Sequence, residues 1–394
     1  MLKRFQESNP TKVDIWRQPF KPNKPVDIVV SPAVKRDLLI LIQMFRLHFE
    51  EVLPDLSESL SKVPRASSLS QRTHVDEFSL DEYHTYDEIN WWLYDMERRH
   101  STMMTVFEVG RSWEDRSMLA VKISSPDRTS ASKPAVWLDA AIHANEWIGP
   151  ATLLYFIQQF VTNYDHDPTV KKLIDTFDWY LLPVFNVDGY VYSWKEDRLW
   201  RKNRSKQGNS TGCVGVDLNR NWDAKFEEHT VTDKCSAIYP GPSAFSERES
   251  QVVSSFLRRH PVIVAAVSYH SYSQFWMIPF GYSKSKHPSN YNQLMNMSAA
   301  AVEALRQVHG TQYEYGSIDD LVGQTFGSSI DYIYDTLGIP YVFGVELRDR
   351  GHYCALLPPN QIIPNAEESL AAITKLASMI PETLPGNRES SESQ

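Results

Sequence analysis

The chain has 394 residues, 42% of them hydrophobic, which is enough apolar material for one large core and a small second domain. Its formal net charge of −9 leaves no basic excess for phosphates and argues against a nucleic-acid partner. No run of about twenty apolar residues occurs, so no membrane-spanning helix is expected.

Residues 1–62 read as a small α+β unit. The opening "MLKRFQESNP" has no apolar stretch and is not a signal peptide as written. "VDIWRQPF" and "VDIVV" (Val26–Val30) read as strands, and Ser31-Pro32 opens a helix with an N-cap followed by a first-turn proline. Within that helix "LLILIQMF" (Leu38–Phe45) reads as the buried face. Residues 63–78 are Ser-rich and hold Pro64, Arg65 and Arg72; they predict an exposed linker open to trypsin-like proteases. A long α/β pattern fills residues 79–382, and the polar stretch 383–394 reads as a disordered tail.

In the large region the apolar runs Ala135–Ala141, Trp179–Phe185, Val262–Ser268 and Tyr341–Val345 are short and bounded by turn residues, as buried strands are. Pro150–Val161 and Ser246–Arg259 read as helices between them. The alternation predicts an α/β fold, with a central mixed, mostly parallel sheet and helices on both faces. Ligands of such sheets gather at the carboxyl ends of the strands. His143 follows the first of these strands, His270 follows "VIVAAVSY" and Glu346 closes "YVFGVE". A carboxylate at the end of an apolar strand is costly without a partner. In "IHANEWIG", His143 and Glu146 lie three positions apart, a spacing that lets both side chains reach one point or simply open a helix. Cys213 and Cys235 read equally as a disulfide or as two thiols, and Cys354 is left over.

Seven motifs decide between these readings. "HANEW", "DRLWRKNRS", "CVGVDLNRNWD", "YHSYSQ", "GSSIDY", "VELRDRGHY" and "LLPPNQIIP" stand in the order in which metallocarboxypeptidases of the pancreatic A/B type show them. The chain resembles that family over nearly its whole length. Residues 3 to about 60 resemble its propeptide, starting part-way into that domain.

The resemblance implies a zinc exopeptidase made as an inactive precursor. His143, Glu146 and His270 match the ligands of one Zn2+, a donor set that leaves a position open for water. Glu346 matches the general base, and Arg204 in "RKNRS" matches the arginine that faces the developing oxyanion. Asn219 and Arg220 match the grip on the substrate's terminal carboxylate, and Asp217 matches the acid that orients a ligating histidine. Tyr272 and Arg201 match outer subsites, and Cys213–Cys235 the family disulfide. Where an acid would select Lys or Arg, this chain has Ile330; Met277, Gly281, Ile318, Val322, Ser328 and Gly344 at other pocket positions are also uncharged. Apolar or aromatic C-terminal residues of peptides and proteins are therefore the expected substrates.

Three departures bear on activity. Gly323 stands where the family has a mobile tyrosine that closes over the substrate, Asn145 replaces an arginine and Ala355 a large aromatic residue. Gly323 keeps open an alternative, a zinc-binding but weakly active or inactive protein that captures peptide C-termini. The resemblance further implies activation by a trypsin-like protease after Arg65 or Arg72, a monomer and an extracellular setting, which the sequon at Asn209 also favours. Residues 1–72 carry net charge +4 against −13 for the rest, consistent with a pro-segment docked over an acidic body.

Overall fold

Short strands of β-branched and aromatic residues alternate with helices along the chain, and the computed structural model assembles them around one sheet. Residues 1–9, 12–17, 24–53, 55–61, 78–126, 133–206 and 212–380 are described. The linker positions Pro64, Arg65 and Arg72, the sequon at Asn209 and the tail lie outside them.

The N-terminal part holds α1 (Leu2–Ser8), β1 (Val13–Ile15), β2 (Ile28–Val30), α2 (Pro32–Met44) and α3 (Leu56–Ser61). β1 and β2 pair antiparallel, Val13 opposite Val30. Ser31 caps α2 as expected, its hydroxyl accepting from the Ala33 amide. The "LLILIQMF" face is only partly buried. Val34, Leu38 and Ile42 form the inward stripe at i, i+4, i+8, whereas Ile40, Met44 and Phe45 are 46%, 70% and 56% exposed.

The larger part begins with α4 (Tyr86–Arg99), opened by a reciprocal Thr85–Glu88 capping box. In order follow β3 (Met104–Arg111), β4 (Ser117–Ile123), β5 (Ala135–Ala140), α5 (Ile148–Thr162), α6 (Pro168–Thr176), β6 (Asp178–Leu182), α7 (Val187–Lys195) and α8 (Arg248–Arg259). The remainder is β7 (Ile263–Ser271), β8 (Phe275–Ile278), α9 (Tyr291–His309), β9 (Glu314–Ser317), α10 (Ile318–Leu321), α11 (Ser329–Asp335), β10 (Tyr341–Leu347) and α12 (Ile362–Ala377). Eight strands form a mixed sheet in the order β3-β4-β6-β5-β7-β10-β8-β9. The four central strands, β6, β5, β7 and β10, run parallel, and the antiparallel pairings lie outside them.

Every residue of β5 and β7 is buried, the signature of strands covered on both faces. Trp137 and Trp179 are fully buried in the core between sheet and helices. The parallel register then fixes one functional edge. His270 near the end of β7 lies level with Glu346 of β10, and β5 stops at Ala140, three residues before His143.

Candidate active site

At that edge His143, Glu146 and His270 converge. One ligand atom from each lies within 4.8 Å of the others, and all three side chains are buried. The two Nδ1 atoms are 3.1 Å apart, and His143 Nδ1 is 2.8 Å from Glu146 Oε1. Glu146 Oε2 is buried without an aligned hydrogen-bond donor, although His270 Nδ1 is 3.2 Å away. Two imidazole nitrogens and an orphaned carboxylate oxygen aimed at one point suit a divalent cation of the zinc type. Among the described residues this is the only such cluster.

The surroundings prepare these groups for a cation. Burial lowers the His270 pKa and so keeps its ring neutral, the form that can ligate. Burial opposes the charge on Glu146, but His143 and His270 hold its pKa below the ordinary value. Asp217 lies behind His143, with Oδ1 3.2 Å from its Nε2. Burial alone would raise the Asp217 carboxyl, yet Arg201, His143 and Arg220 hold it well below the usual carboxylate range.

These residues open onto a cleft of about 700 Å³ that is also lined by Asn145, Arg201, Asn219, Arg220, Tyr272 and Glu346. Burial first, and the Glu146 charge second, push Glu346 well above the ordinary carboxyl pKa, with Arg201 pulling the other way. Arg220 Nη1 donates to the Asn219 carbonyl at 2.8 Å, and the Ser329 amide and hydroxyl donate to Asn219 Oδ1 at 2.9 and 3.1 Å. With its oxygen so occupied, Asn219 presents its amide hydrogens beside the Arg220 fork.

Arg204 is the correction. It does not line the cleft; its guanidinium lies over the Tyr192 ring at 3.6 Å and the Trp200 ring at 4.4 Å. Those aromatic faces satisfy the cation away from the carboxylates. The cleft arginine of this segment is Arg201, whose Nε and Nη2 donate to Asp217 Oδ2 at 3.2 and 3.0 Å, with Nη1 3.7 Å from Glu146 Oε1. The segment is pinned so by Asn203, whose amide donates to the buried Glu247 and Glu249.

Ile330, Met277, Ile318, Val322, Ser328 and Gly344 line the far end of the cleft, and none is charged. Gly281 stands behind that wall rather than in it. A Cβ there would meet Ile318 Cγ2 at 2.9 Å, and its amide donates to the buried Asp331 carboxylate. Gly323 lines the cleft with φ +99°, a conformation that L side chains rarely adopt. Asn145 donates to the Leu199 carbonyl, and Ala355 also faces the cleft.

Sequence pattern gave no signal for His229, which donates through Nε2 to the Arg220 carbonyl at 3.1 Å and packs edge-on against Phe326. Nor did it mark Asp14 and Trp16 of the N-terminal part, which also line the cleft. Asp27 accepts from the Tyr272 hydroxyl at 2.8 Å and pairs with Arg17 at 3.1 Å. Cys213 and Cys235 form a disulfide, and Cys354 is a buried free thiol.

A two-histidine, one-carboxylate cluster at the carboxyl edge of a parallel sheet, in one cleft with a buried glutamate and two arginines, is the arrangement of a metal-dependent hydrolase. The zinc carboxypeptidase family model matches residues 89–372, and the carboxypeptidase activation peptide model matches residues 1–62. Mouse carboxypeptidase A2 is 38% identical over 91% of this chain and 85% of its own length. Human carboxypeptidase A6 is 35% identical over 93% and 84%. The crystal structure of thrombin-activatable fibrinolysis inhibitor superposes with TM-score 0.86 at 34% identity, covering 96% of this chain and 94% of that one. Carboxypeptidase A from Helicoverpa armigera gives 0.82 at 27%, with 96% and 93% covered. The chain belongs to the zinc carboxypeptidase family and carries an activation peptide, so it is a metallocarboxypeptidase in precursor form.

Proposed function

We propose that the protein removes apolar or aromatic residues from the C-termini of peptides and proteins, and that His143, Glu146 and His270 hold its zinc. When bound, zinc supplies a Lewis acid for the scissile carbonyl and lowers the pKa of water. Glu346 takes a proton from the attacking water and returns it to the leaving amine, a task that suits a carboxylate with a raised pKa. Arg201, not Arg204, faces the carbonyl oxygen as negative charge builds on it. Arg220 and the Asn219 amide grip the terminal carboxylate, which limits attack to a chain end. Tyr272 flanks the chain beyond the scissile bond.

The uncharged floor around Ile330 carries the specificity. A Lys or Arg side chain buried there would lack a counter-charge, at a cost of several kcal/mol. The second reading, a weakly active binder of peptide C-termini, draws on Gly323. The lost phenol would contribute about 1 to 3 kcal/mol, and the φ of +99° means that the loop is shaped for glycine. The metal cluster, Glu346 and Arg201 share one cleft, which supports turnover over mere capture. The Cys213–Cys235 disulfide and the activation peptide favour an extracellular enzyme, activated by a trypsin-like protease after Arg65 or Arg72. All the site residues come from one chain, so a monomer suffices.

The test is to trypsin-treat the recombinant chain and assay blocked dipeptides with and without a zinc chelator. Chelator-sensitive release of Phe, Leu or Tyr, with little Arg or Lys, is expected. Preferential release of Arg would overturn the pocket assignment, and release no faster than by Glu346→Gln would favour the binder.

A further inference from the structure

His143 has an evident support for its outer nitrogen, the Asp217 carboxylate. The matching support for His270 lies deeper in the sheet. Ser268 and His270 are two apart on β7 and so face the same side of the strand. The Ser268 hydroxyl is 3.3 Å from His270 Nε2 and donates to Asp139 Oδ1 at 2.7 Å. Asp139 lies on β5, directly opposite Ser268 in the parallel register. Its other oxygen accepts from the Trp137 indole at 2.8 Å. Asp139, Ser268 and His270 are 3%, 2% and 3% exposed.

Among the described residues no cation pairs with Asp139; only two neutral donors hold it. A buried carboxylate so sparsely supported is costly to keep, and its effect is on hydrogen-bond direction. A serine hydroxyl has a single proton. Because Asp139 takes that proton, Ser268 meets His270 Nε2 with a lone pair and must accept from an Nε2–H. A neutral imidazole carries one proton, so the Nδ1 lone pair is left to face Glu146 and His143.

We propose that Asp139 is a positioning residue which, through Ser268, fixes the tautomer and tilt of His270 so that Nδ1 is presented to the zinc. This rests on the zinc assignment above and adds a bridged carboxylate on His270 to the direct one on His143. Asp139→Asn is a sharp probe. With the amide oxygen toward Trp137, the amide nitrogen donates to Ser268, and the serine proton turns onto His270 Nε2, forcing the wrong tautomer. With the amide reversed, its nitrogen opposes the indole N–H. The first orientation breaks the relay; the second keeps an acceptor for Ser268 but sets two N–H groups against each other at Trp137, which disfavours it.

The experiment is chelator competition for zinc on the trypsin-released wild type, Asp139→Asn, Ser268→Ala and the double variant. Each single change is expected to weaken zinc binding by about 10- to 100-fold, with the double no worse than the weaker single, because the two residues act as one unit. Single variants within about twofold of wild type, or losses that multiply in the double, would overturn the proposal. Should Asp139→Asn not fold, Ser268→Ala and the wild type decide the matter through the zinc-loaded 15N-histidine spectrum. The His270 Nε2–H is expected to be protected from exchange in wild type and to exchange rapidly in Ser268→Ala; equal protection in both sinks the relay. A wild type that takes up no zinc would instead refute the metal site itself.

Discussion

At the scale of single residues, two arginines three positions apart do different work. Arg201 is held between Asp217 and Glu146 at the cleft, while Arg204 lies on Tyr192 and Trp200. Arg201→Ala is expected to lower kcat by about 10²- to 10³-fold, the usual loss for a removed oxyanion partner. Arg204→Ala is expected to leave kcat within about twofold and to lose only its stacking. Steady-state kinetics on a Phe-ending blocked dipeptide checks both, and a comparable kcat loss in Arg204→Ala would reverse the assignment. The motif "RLWRKNRS" contains both arginines, and their order alone cannot say which one turns inward. That depends on Asn203 being anchored to Glu247 and Glu249, a contact between residues more than forty positions apart. The metal cluster was easier to read, because two histidines after apolar strands and a glutamate three positions from one of them stand within motifs whose order is specific.

At the scale of elements, the central strands follow from their apolar runs, since a strand buried on both faces has no polar side to disguise it. The partly exposed face of α2 did not follow, because apolar content says how much a helix could bury and not how much covers it. The elements are joined by buried acids that pattern reading does not single out. Glu249 in the first turn of α8 accepts from the Trp113 amide beside β3 and from Asn203 in the Arg201 segment. Burial pushes its pKa from 4.5 up to about 7. Folded chains therefore keep this proton after unfolded chains have released it, so stability falls as pH rises from about 4.5 to about 7 and then levels. At about 1.4 kcal/mol per tenfold change in proton affinity, the fall amounts to about 3 kcal/mol. Glu249→Gln cannot titrate and is expected to lack this component. Urea midpoints of both proteins across that pH range give the difference, and parallel curves would show that Glu249 is ionised throughout.

For the whole molecule, the N-terminal part reaches the catalytic edge through a few defined contacts. The opposite net charges of the two parts suggest a broad electrostatic clamp, but the contacts are local. Lys24 pairs with Glu314 at 3.3 Å, Arg17 donates to the Arg350 carbonyl at 3.0 Å, and Asp27 holds the Tyr272 hydroxyl. The Lys24–Glu314 pair is half-exposed and worth little, because water and salt screen it. Asp27 is the stronger anchor. Its side chain is 23% exposed, and it meets Tyr272 and Arg17 together, so its carboxylate fixes a cleft residue to the pro-segment. A hydrogen bond to a charged group contributes about 1.5 to 3 kcal/mol, enough for a tenfold or greater shift in the balance between covered and open cleft. Asp27→Ala should therefore raise the peptidase activity of the uncleaved precursor about tenfold. After trypsin treatment the released enzyme should match wild type, because it no longer contains residue 27. The same comparison at raised ionic strength separates the two contributions: loss of the Lys24–Glu314 pair to screening should change precursor activity little, whereas loss of Asp27 should change it at any salt. Precursor activity that follows salt and ignores Asp27→Ala would mean that diffuse charge, not this one carboxylate, keeps the cleft covered.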